Sequence, residues 1–353
     1  MGLVNKVKSI FSKEIVGLDI GDDTVKLAEI ESSWGKIILK NYSIIQTPDK
    51  SVKDGQLKRM DDLTEKIRAA LIEKDFEANE VIAAISGEEV ISRTIEVPYM
   101  PLADLDEAIK WEAEDHIPVP IDEVIIDYEI LSEREGDKYE LMIIAVKKEL
   151  IEKYIDLCEE LGLEIKAIEI EPTAIARTIN KLYTDKTVGT IDIGEKSTSV
   201  SVINEGRLLF TRTIGIGGGD INNELMENKN LTNDEAEKYK RNNNLLTGDD
   251  ELIILDNLIT GIYRSFEYFQ VKHDSYNIER IILTGGGSRL KNIVSYLARE
   301  FDEPVEVLDL DESLVSANDD IDPEELANIG QLLAVSIGLA LRKEESNDKL
   351  ITS

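Results

Sequence analysis

The chain has 353 residues, and its 72 acidic and 40 basic side chains give a formal net charge of −32 at pH 7. That charge argues against a nonspecific nucleic-acid binder, which needs clustered Lys and Arg, and against broad adsorption to anionic membranes. The single cysteine, Cys158, excludes an intramolecular disulfide and fits a reducing compartment, and the two histidines, His116 and His273, are too few and too far apart to favour a zinc site or a Ser-His-Asp enzyme.

The first residues of the chain predict a basic arm. At residues 1–13, apolar side chains at helical spacing alternate with lysines, which is typical of an amphipathic segment. We interpret this arm either as a contact for a membrane surface or a partner, or as a lead-in that packs or frays. It lacks the long apolar run of a secretory signal, and no stretch approaches the roughly 18–20 apolar residues that cross a bilayer, so we expect a cytoplasmic protein.

Apolar periodicity predicts two groups of elements in the first half of the chain. The first group contains strands at 14–20, 25–30 and 36–45, a helix at 61–74 and a strand at 81–85. The second group, within residues 87–169, contains a strand at 90–97, a helix at 105–115, strands at 124–131 and 139–146, and a helix at 148–161. The second group predicts a separate, compact α+β insertion. Trp111, taken alone on its predicted helix, is interpreted as a core residue.

The second half of the chain repeats the opening pattern. Its predicted elements are strands at 188–193, 198–204 and 207–214, helices at 220–241 and 252–272, a strand at 280–284, a helix at 290–301, a strand at 305–308 and a helix at 328–342, followed by a polar tail at 343–353 that is expected to be disordered. Asp19-Ile20-Gly21 and Asp192-Ile193-Gly194 end the first strand of the two halves, directly before a polar turn. They therefore occupy equivalent places in two β-hairpin units.

We call these two Asp-Ile-Gly segments, with the polar turn that follows each, the Asp-Gly turns. They have the chemistry of a phosphate site. Glycine lets the backbone approach an anion, and successive N–H groups can surround phosphate oxygens. A carboxylate at the end of the strand can hold Mg²⁺ through water, because this ion keeps much of its hydration shell. A third, glycine-rich loop at 284–288 could lie flat against a nucleoside. A P-loop motif does not occur, and residues 215–220 fail the G-x-G-x-x-G pattern because Asp220 replaces the last glycine.

The three loops resemble the nucleotide site of actin-like ATPases. Asp19-Ile20-Gly21, with Lys26 downstream, is similar to their first phosphate loop, and Asp192-Ile193-Gly194 is similar to the second. Thr284-Gly285-Gly286-Gly287-Ser288 is similar to their adenosine loop. Within that superfamily the chain resembles the PilM family of type IV pilus assembly, on the string A-I-K-W-E-A-E-D-H-I-P at 108–118, which continues with I-D-E-V and D-Y. Glu171-Pro172 and the segments 236–240 and 264–269 also fit, so that the resemblance covers residues 14–341.

The resemblance implies an α/β, actin-like fold with two lobes, each built on a repeated ribonuclease H-like unit, and an FtsA-type small α+β insertion subdomain. The implied division is an arm at 1–13, a first large subdomain at 14–86 and 170–187, the insertion at 87–169, a second large subdomain at 188–221 and 253–342, a second small subdomain at 222–252 and a tail at 343–353. A nucleotide cleft is expected between the two lobes.

The resemblance also implies a cytoplasmic adaptor, recruited to the inner face of the cytoplasmic membrane, that binds ATP and Mg²⁺. Its expected partner is the N-terminal cytoplasmic tail of the inner-membrane protein PilN, lying in a groove between the first large subdomain and the insertion. PilN connects it to PilO and the pilus assembly ATPase; homo-oligomers are compatible with this role, and nucleic acid is not expected. Any ATP hydrolysis should be slow. An actin-like scaffold with degenerate nucleotide loops and an FtsA-like division filament protein are the alternative interpretations.

Residue by residue, the resemblance assigns no catalytic residue and places Mg²⁺ at Asp19 and Asp192. The residues assigned to the nucleotide are Asp19, Gly21, Asp22, Asp23, Thr24, Lys26, Asp192, Gly194, Lys196, Ser197, Thr198, Gly218, Glu237, Lys240, Gly285, Gly286, Gly287 and Ser288.

Both phosphate loops depart from the family pattern, which has small residues after the Asp-Gly turn. Asp22 and Asp23 follow the first turn, and Glu195 and Lys196 follow the second. A like-charge pair at about 4 Å costs roughly 4 kcal/mol at an effective dielectric of about 20, and a micromolar ligand is held by only about 8 kcal/mol. Carboxylates directed at the phosphates would weaken ATP binding, whereas carboxylates turned outward would not. We expect Lys196 to reach Asp22 or Asp23 in the empty cleft, and calorimetry to show tighter ATP binding by Asp22→Ser.

Overall fold

The computed structural model describes residues 14–33, 36–85, 89–134, 138–246, 252–310, 314–316 and 321–342. The predicted arm at 1–13 and the predicted tail at 343–353 lie outside the described residues. Within the described part, no helix is both long and apolar enough to cross a membrane.

The elements follow one another in three groups along the chain. The first group is β1 (Ile15–Ile20), β2 (Thr24–Ser33), β3 (Lys36–Gln46), β4 (Val52–Lys53), β5 (Gln56–Leu57), α1 (Met60–Glu73) and β6 (Glu80–Ile85). The second is β7 (Ile91–Pro98), α2 (Leu102–Glu114), β8 (Val124–Arg134), β9 (Lys138–Lys147), α3 (Lys148–Leu161), β10 (Glu164–Ile170) and α4 (Glu171–Leu182). The third is β11 (Thr187–Ile193), β12 (Thr198–Asn204), β13 (Arg207–Ile214), α5 (Gly218–Lys229), α6 (Asn233–Asn242), α7 (Ile253–Lys272), β14 (Arg280–Thr284), α8 (Ile293–Glu300), β15 (Val305–Val307), β16 (Leu314–Ser316), α9 (Pro323–Ile329) and α10 (Ala334–Ala340).

The first sheet has the strand order β10-β6-β1-β2-β3-β16, with β1 antiparallel to β2 and parallel to β6. All of β1 is buried, as its continuous apolar run predicts for a central strand covered on both faces. Helices α1 and α3 pack on one face of the sheet, and α4 and α10 pack on the other. The end of β1, with Asp19, therefore lies on a central, fully buried strand of the sheet.

The second sheet repeats the first. Its order is β13-β12-β11-β14-β15, with β11 antiparallel to β12 and parallel to β14. Asp19 is level with Ala84 on the parallel strand of the first sheet, and Asp192 is level with Thr284 on the parallel strand of the second. The predicted internal repeat, including the equivalence of the two Asp-Gly turns, is confirmed.

A third sheet, β7-β9-β8, packs on α2 around a core of its own. The predicted insertion at 87–169 extends too far toward its carboxyl end. Helix α3 buries Tyr154 and Leu157 against the first sheet, and β10 pairs with β6 in that sheet. The elements that belong to the separate sheet therefore run from Ile91 to Lys147.

The interpretation of Trp111 as a core residue is wrong, because its side chain is 69 % exposed. Helix α2 buries Leu105, Ile109 and Ala113. Trp111 is two residues beyond Ile109, and with 3.6 residues per turn that spacing places it on the opposite face.

Two predicted helices are each interrupted. The helix predicted at 220–241 is α5 followed by α6, because Asn230 ends α5 in the left-handed conformation (φ 53°) and the Thr232 side chain caps α6. The helix predicted at 328–342 is α9 and α10, separated by a 3₁₀ turn at Gly330–Leu332. Strands β4, β5, β10 and β16 and helix α4 were not predicted from the sequence.

Candidate functional site

The carboxylates of the two Asp-Gly turns both act on one lysine. Lys26 is paired with Asp19 in the β1–β2 register, and its Nζ lies 3.1 Å from Asp19 Oδ2. Burial alone would lower the pKa of Lys26, but the carboxylates of Asp19, Glu171 and Asp192 outweigh burial and raise it. Because Asp19 ends a strand of the first sheet and Asp192 a strand of the second, this ammonium group links the two turns electrostatically.

Asp192 is a half-buried carboxyl group with a defined hydrogen-bond donor. The Thr284 hydroxyl, on the neighbouring strand β14, donates to Asp192 Oδ1 at 2.7 Å. Burial raises the pKa of Asp192 and the nearby Asp19 carboxylate adds to the rise, whereas Thr284 and Lys26 oppose it. A cation between the two carboxylates would relieve this repulsion.

One carboxylate oxygen of Asp19 has no hydrogen-bond partner in the part of the chain that the structure describes. Its Oδ1 is buried and has no hydrogen-bond partner among the described residues, and the same holds for the hydroxyl of Tyr154. Buried oxygens of this kind are costly unless water or an ion satisfies them. A hydrated Mg²⁺ would do so, and the residues present therefore fit the ion that the sequence predicts. In the described part of the chain no three or more His, Cys, Asp or Glu side chains form a metal cluster, so water or phosphate oxygens would complete the ion's shell.

The additional carboxylates of the first turn are held by the β4–β5 turn and by β3. Asp22 accepts hydrogen bonds from the backbone N–H groups of Asp54 at 2.8 Å and Gly55 at 3.3 Å, in the turn between β4 and β5. Asp23 Oδ1 accepts one from the Gln46 side chain at 2.7 Å. These hydrogen bonds favour the interpretation in which both side chains turn away from the phosphates.

Lys196 is exposed, and its charge affects both loops. Burial raises the pKa of Asp22, the hydrogen bonds from the β4–β5 turn lower it, and Lys196 lowers it further. The expected contact of Lys196 with Asp22 or Asp23 is not observed among the described residues; Lys196 acts on Asp22 only through its charge, and the hydrogen bonds of Asp22 come from Asp54 and Gly55. The predicted gain in ATP binding on Asp22→Ser stays a prediction.

Each of the two turns is closed by a backbone hydrogen bond from its glycine N–H to the carbonyl three residues later. Gly21 N–H donates to the Thr24 carbonyl at 3.1 Å, and Gly194 N–H donates to the Ser197 carbonyl at 2.9 Å. The Thr198 hydroxyl donates to the Ile216 carbonyl at 2.8 Å. These donors are thus used within the protein, and a phosphate group at the turns would be bound by other groups.

Helices α5 and α6 bring together a second set of predicted residues. Lys240 is buried, and its Nζ donates to the Gly218 carbonyl at 3.0 Å and lies 2.6 Å from Glu237 Oε2. Burial would raise the pKa of Glu237, but hydrogen bonds from Lys240 and two neighbouring side chains lower it to about 2. Glu237 is therefore a stable anion that holds the Lys240 ammonium in place.

The glycine-rich loop packs directly on the second turn. A Cβ at Gly285, whose φ is +75°, would lie 2.5 Å from the carbonyl oxygen of Ile193, and a Cβ at Gly287 would lie 2.1 Å from Ile193 Cγ2. The Ser288 hydroxyl donates to the Gly285 carbonyl at 2.7 Å. A Cβ at Gly286 would meet nothing within 4 Å, so this glycine borders open space where a flat ligand could lie.

Three residues of the site were not singled out in the sequence analysis: Tyr154, Glu171 and Thr284. Glu171-Pro172 was available as part of the family resemblance, and Thr284 as the first residue of the glycine-rich loop. Tyr154 gives no signal in the sequence, since it is one apolar position among several in an amphipathic helix.

Residues 17–344 match the family described as Type IV pilus assembly protein PilM. The chain belongs to this family. A solved PilM-PilN type IV pilus biogenesis complex contains a chain that is 29 % identical, with a TM-score of 0.83, and the match covers 93 % of this chain and 98 % of that one. The expected PilM-family resemblance is confirmed.

More distant relatives share the fold. MreB5 of Spiroplasma citri, solved with bound AMPPNP, is 14 % identical with a TM-score of 0.52, and the match covers 92 % of this chain and 94 % of that one. Cell division protein FtsA of Bacillus subtilis is 24 % identical over 254 residues, which are 64 % of this chain and 57 % of FtsA. The chain spans between 30 % and 57 % of the length of the curated relatives that it matches. The expected α/β, actin-like fold is confirmed.

Proposed function

We propose that this PilM-family protein is an adaptor of type IV pilus assembly that binds ATP with Mg²⁺ between its two large sheets and binds the N-terminal cytoplasmic tail of PilN. The observation that carries the proposal is the pair of Asp-Gly turns, one on each sheet, that share the Lys26 ammonium. The PilM-PilN complex and the AMPPNP-bound MreB5 structure support the two ligands in relatives.

In this proposal the chain's own residues orient the ligand. Asp19 and Asp192 would hold Mg²⁺ through its water molecules, and the ion would neutralise part of the phosphate charge. Gly286 would face the nucleoside, with Gly218, Glu237 and Lys240 at its other edge. We expect ATP to act mainly by setting the angle between the sheets, with slow hydrolysis at most.

A cavity of about 390 Å³ offers a position for the PilN tail. The cavity is lined by Ile85 and Glu171 of the first large subdomain, by Ser92 and Arg93 of β7, and by Arg212 of the second sheet. The cavity therefore changes shape when the sheets move relative to each other. The charge of Glu171 also contributes to the raised pKa of Lys26, so that this residue lines the cavity and acts on the cleft. This shared residue gives a physical route for coupling between peptide and nucleotide.

The coupling can be measured directly. A labelled peptide with the sequence of the PilN tail encoded in the same genome is titrated into the full chain, with and without MgATP. We expect the peptide affinity to change by about fivefold or more, within the usual range for coupled sites, and the ATP affinity to change by the same factor when peptide is added. Equal peptide affinities in both conditions would contradict the coupling.

Filling the cavity tests where the peptide binds. Ser92→Trp places an indole in the cavity without removing a charge, and we expect at least tenfold weaker peptide binding with MgATP binding retained. Ser295→Trp, at an exposed position of α8, is the matched surface control and should bind as the wild type does. If Ser92→Trp binds the peptide normally, the tail lies elsewhere.

Through PilN we further propose recruitment to the inner face of the cytoplasmic membrane and connection to PilO and the assembly ATPase. The alternatives predict other results. A scaffold with degenerate loops would bind the peptide but no ATP at any concentration tested, and an FtsA-like filament protein would sediment in a nucleotide-dependent way. The self-closed turns, in which Gly21 and Gly194 use their own N–H groups, favour the scaffold as the second candidate.

A further inference from the structure

Glu195, which follows the second Asp-Gly turn, folds back over the amino end of α5. Its carbonyl accepts a hydrogen bond from Gly219 N–H at 2.8 Å. A Cβ at Gly219 would lie 2.4 Å from Glu195 Oε1, and a Cβ at Gly218 would lie 3.6 Å from Glu195 Oε2. The carboxyl group therefore occupies the space that a side chain at Gly219 would need, and it lies in contact range of Gly218.

This space belongs to the candidate nucleotide cleft. Gly218 is fixed from both sides, because its N–H donates to the Gly194 carbonyl at 2.8 Å and its carbonyl accepts from Lys240. The charges of Lys240 and Lys196 attract the Glu195 carboxylate, and those of Asp23 and Glu237 repel it. Asp23 lies on the turn of the first sheet, so charges from both sides of the cleft act on Glu195.

We propose that Glu195 is an internal occupant of the cleft, whose carboxylate takes the place beside Lys240 and the α5 glycines and has to leave or become neutral before MgATP binds. This inference rests on the proposed function, because only a cleft that binds nucleotide can be blocked in this way. It gives a role to the glutamate that stands where the sequence resemblance leads us to expect a small residue. The protein would bind nucleotide weakly until something displaces this side chain.

The charge state of Glu195 gives the inference a pH dependence. Burial is the main cause that raises the pKa of Glu195 to about 7; Asp23 and Glu237 add to the rise, and Lys240 and Lys196 oppose it. The group is therefore mostly neutral at pH 6 and mostly charged at pH 8. If the neutral form binds MgATP and the charged form does not, the affinity of the wild type is about tenfold higher at pH 6 than at pH 8.

Calorimetric titration of the full chain with MgATP at pH 6, 7 and 8 tests the inference. We expect Glu195→Gln to bind about tenfold more tightly than the wild type at pH 8 and to lose most of the pH dependence that remains after correction for ATP's own protonation. Glu227→Gln, an exposed glutamate near the far end of α5, is the matched control and should follow the wild type. If Glu195→Gln unfolds, Glu195→Ser makes the same comparison with a small residue.

The outcomes separate this inference from the proposed function. If the wild type and Glu195→Gln bind MgATP with equal affinity and equal pH dependence, the blocking role of Glu195 is overturned and nucleotide binding stands. If neither the wild type nor any variant binds MgATP at any of the three pH values, both are overturned. Tighter binding confined to the Glu195 variants supports the inference.

Discussion

Gly338→Val is expected to destabilise the folded chain by more than about 3 kcal/mol, at or above the upper end of ordinary overpacking. A Cβ at position 338 would lie 1.9 Å from the Ala174 carbonyl oxygen and 2.8 Å from Thr178 Oγ1. The nearest atom belongs to the backbone of α4, so no side-chain rotation can relieve the clash. Since domains are stable by only about 5–15 kcal/mol, we expect little folded protein.

Helix α10 cannot move away from this clash, because its other side is equally close to β1. A Cβ at Gly17 would lie 1.8 Å from the carbonyl oxygen of Ser336 in α10. The Thr178 hydroxyl also donates to the Ala334 carbonyl at 2.7 Å and fixes the amino end of α10. A shift that relieves the contact with α4 therefore disturbs the contact with β1 or this hydrogen bond.

Urea unfolding followed by circular dichroism measures the effect. Gly286→Ala is the matched control, because a Cβ at that position meets nothing within 4 Å, and we expect its stability to stay within about 0.5 kcal/mol of the wild type. If Gly338→Val has the same unfolding midpoint as Gly286→Ala, α10 repacks easily and the argument from its close contacts is wrong.

The repeated sheet could be predicted because its signals are local. Each half opens with a continuous apolar run that ends in Asp-Ile-Gly, and a buried central strand requires such a run. Helix α4 is different, because it begins at Glu171 directly after β10, with no loop residues to mark the boundary. The apolar face of α3 was visible in the sequence, but the periodicity could not show that this face covers the first sheet rather than the insertion.

The same distinction holds for the site: features within one continuous segment could be predicted, and contacts between distant segments could not. The turns and the glycine-rich loop are continuous motifs, so their residues could be named from the sequence. The position of Lys26 between Asp19 and Asp192, and the approach of Glu171 to it, depend on how three distant segments pack. The hydrogen bonds of Asp22 to the Asp54-Gly55 turn were missed although Asp-Gly is a strong hairpin signal, because that signal does not show what the turn will contact.

Lys26→Met is expected to destabilise the protein by about 3–5 kcal/mol at pH 7, the usual cost of removing one partner from a buried ion pair. Lys26 Nζ lies 3.1 Å from Asp19 Oδ2, and Asp19 retains only 4 % of its side-chain exposure. Without the ammonium group, the carboxylates of Asp19, Glu171 and Asp192 face one another with no compensating charge from this lysine. Urea unfolding at low ionic strength, with EDTA present, measures the loss.

Two conditions should reverse the loss in Lys26→Met, because each restores charge balance at the same carboxylates. Mg²⁺ can bind between Asp19 and Asp192, so millimolar Mg²⁺ should stabilise Lys26→Met more than the wild type. Burial and the Asp19 charge raise the pKa of Asp192, and Lys26 opposes this rise, so without the lysine the penalty is largest where Asp192 is charged and shrinks as the pH falls. The double variant Lys26→Met/Asp19→Asn should be more stable than Lys26→Met alone.

Lys153→Met, which removes a lysine from a helical surface pair with Glu149, is the control; it should change little and respond to neither condition. A loss in Lys26→Met no larger than in Lys153→Met, or one insensitive to Mg²⁺ and pH, would show that the two turns do not share a cation site.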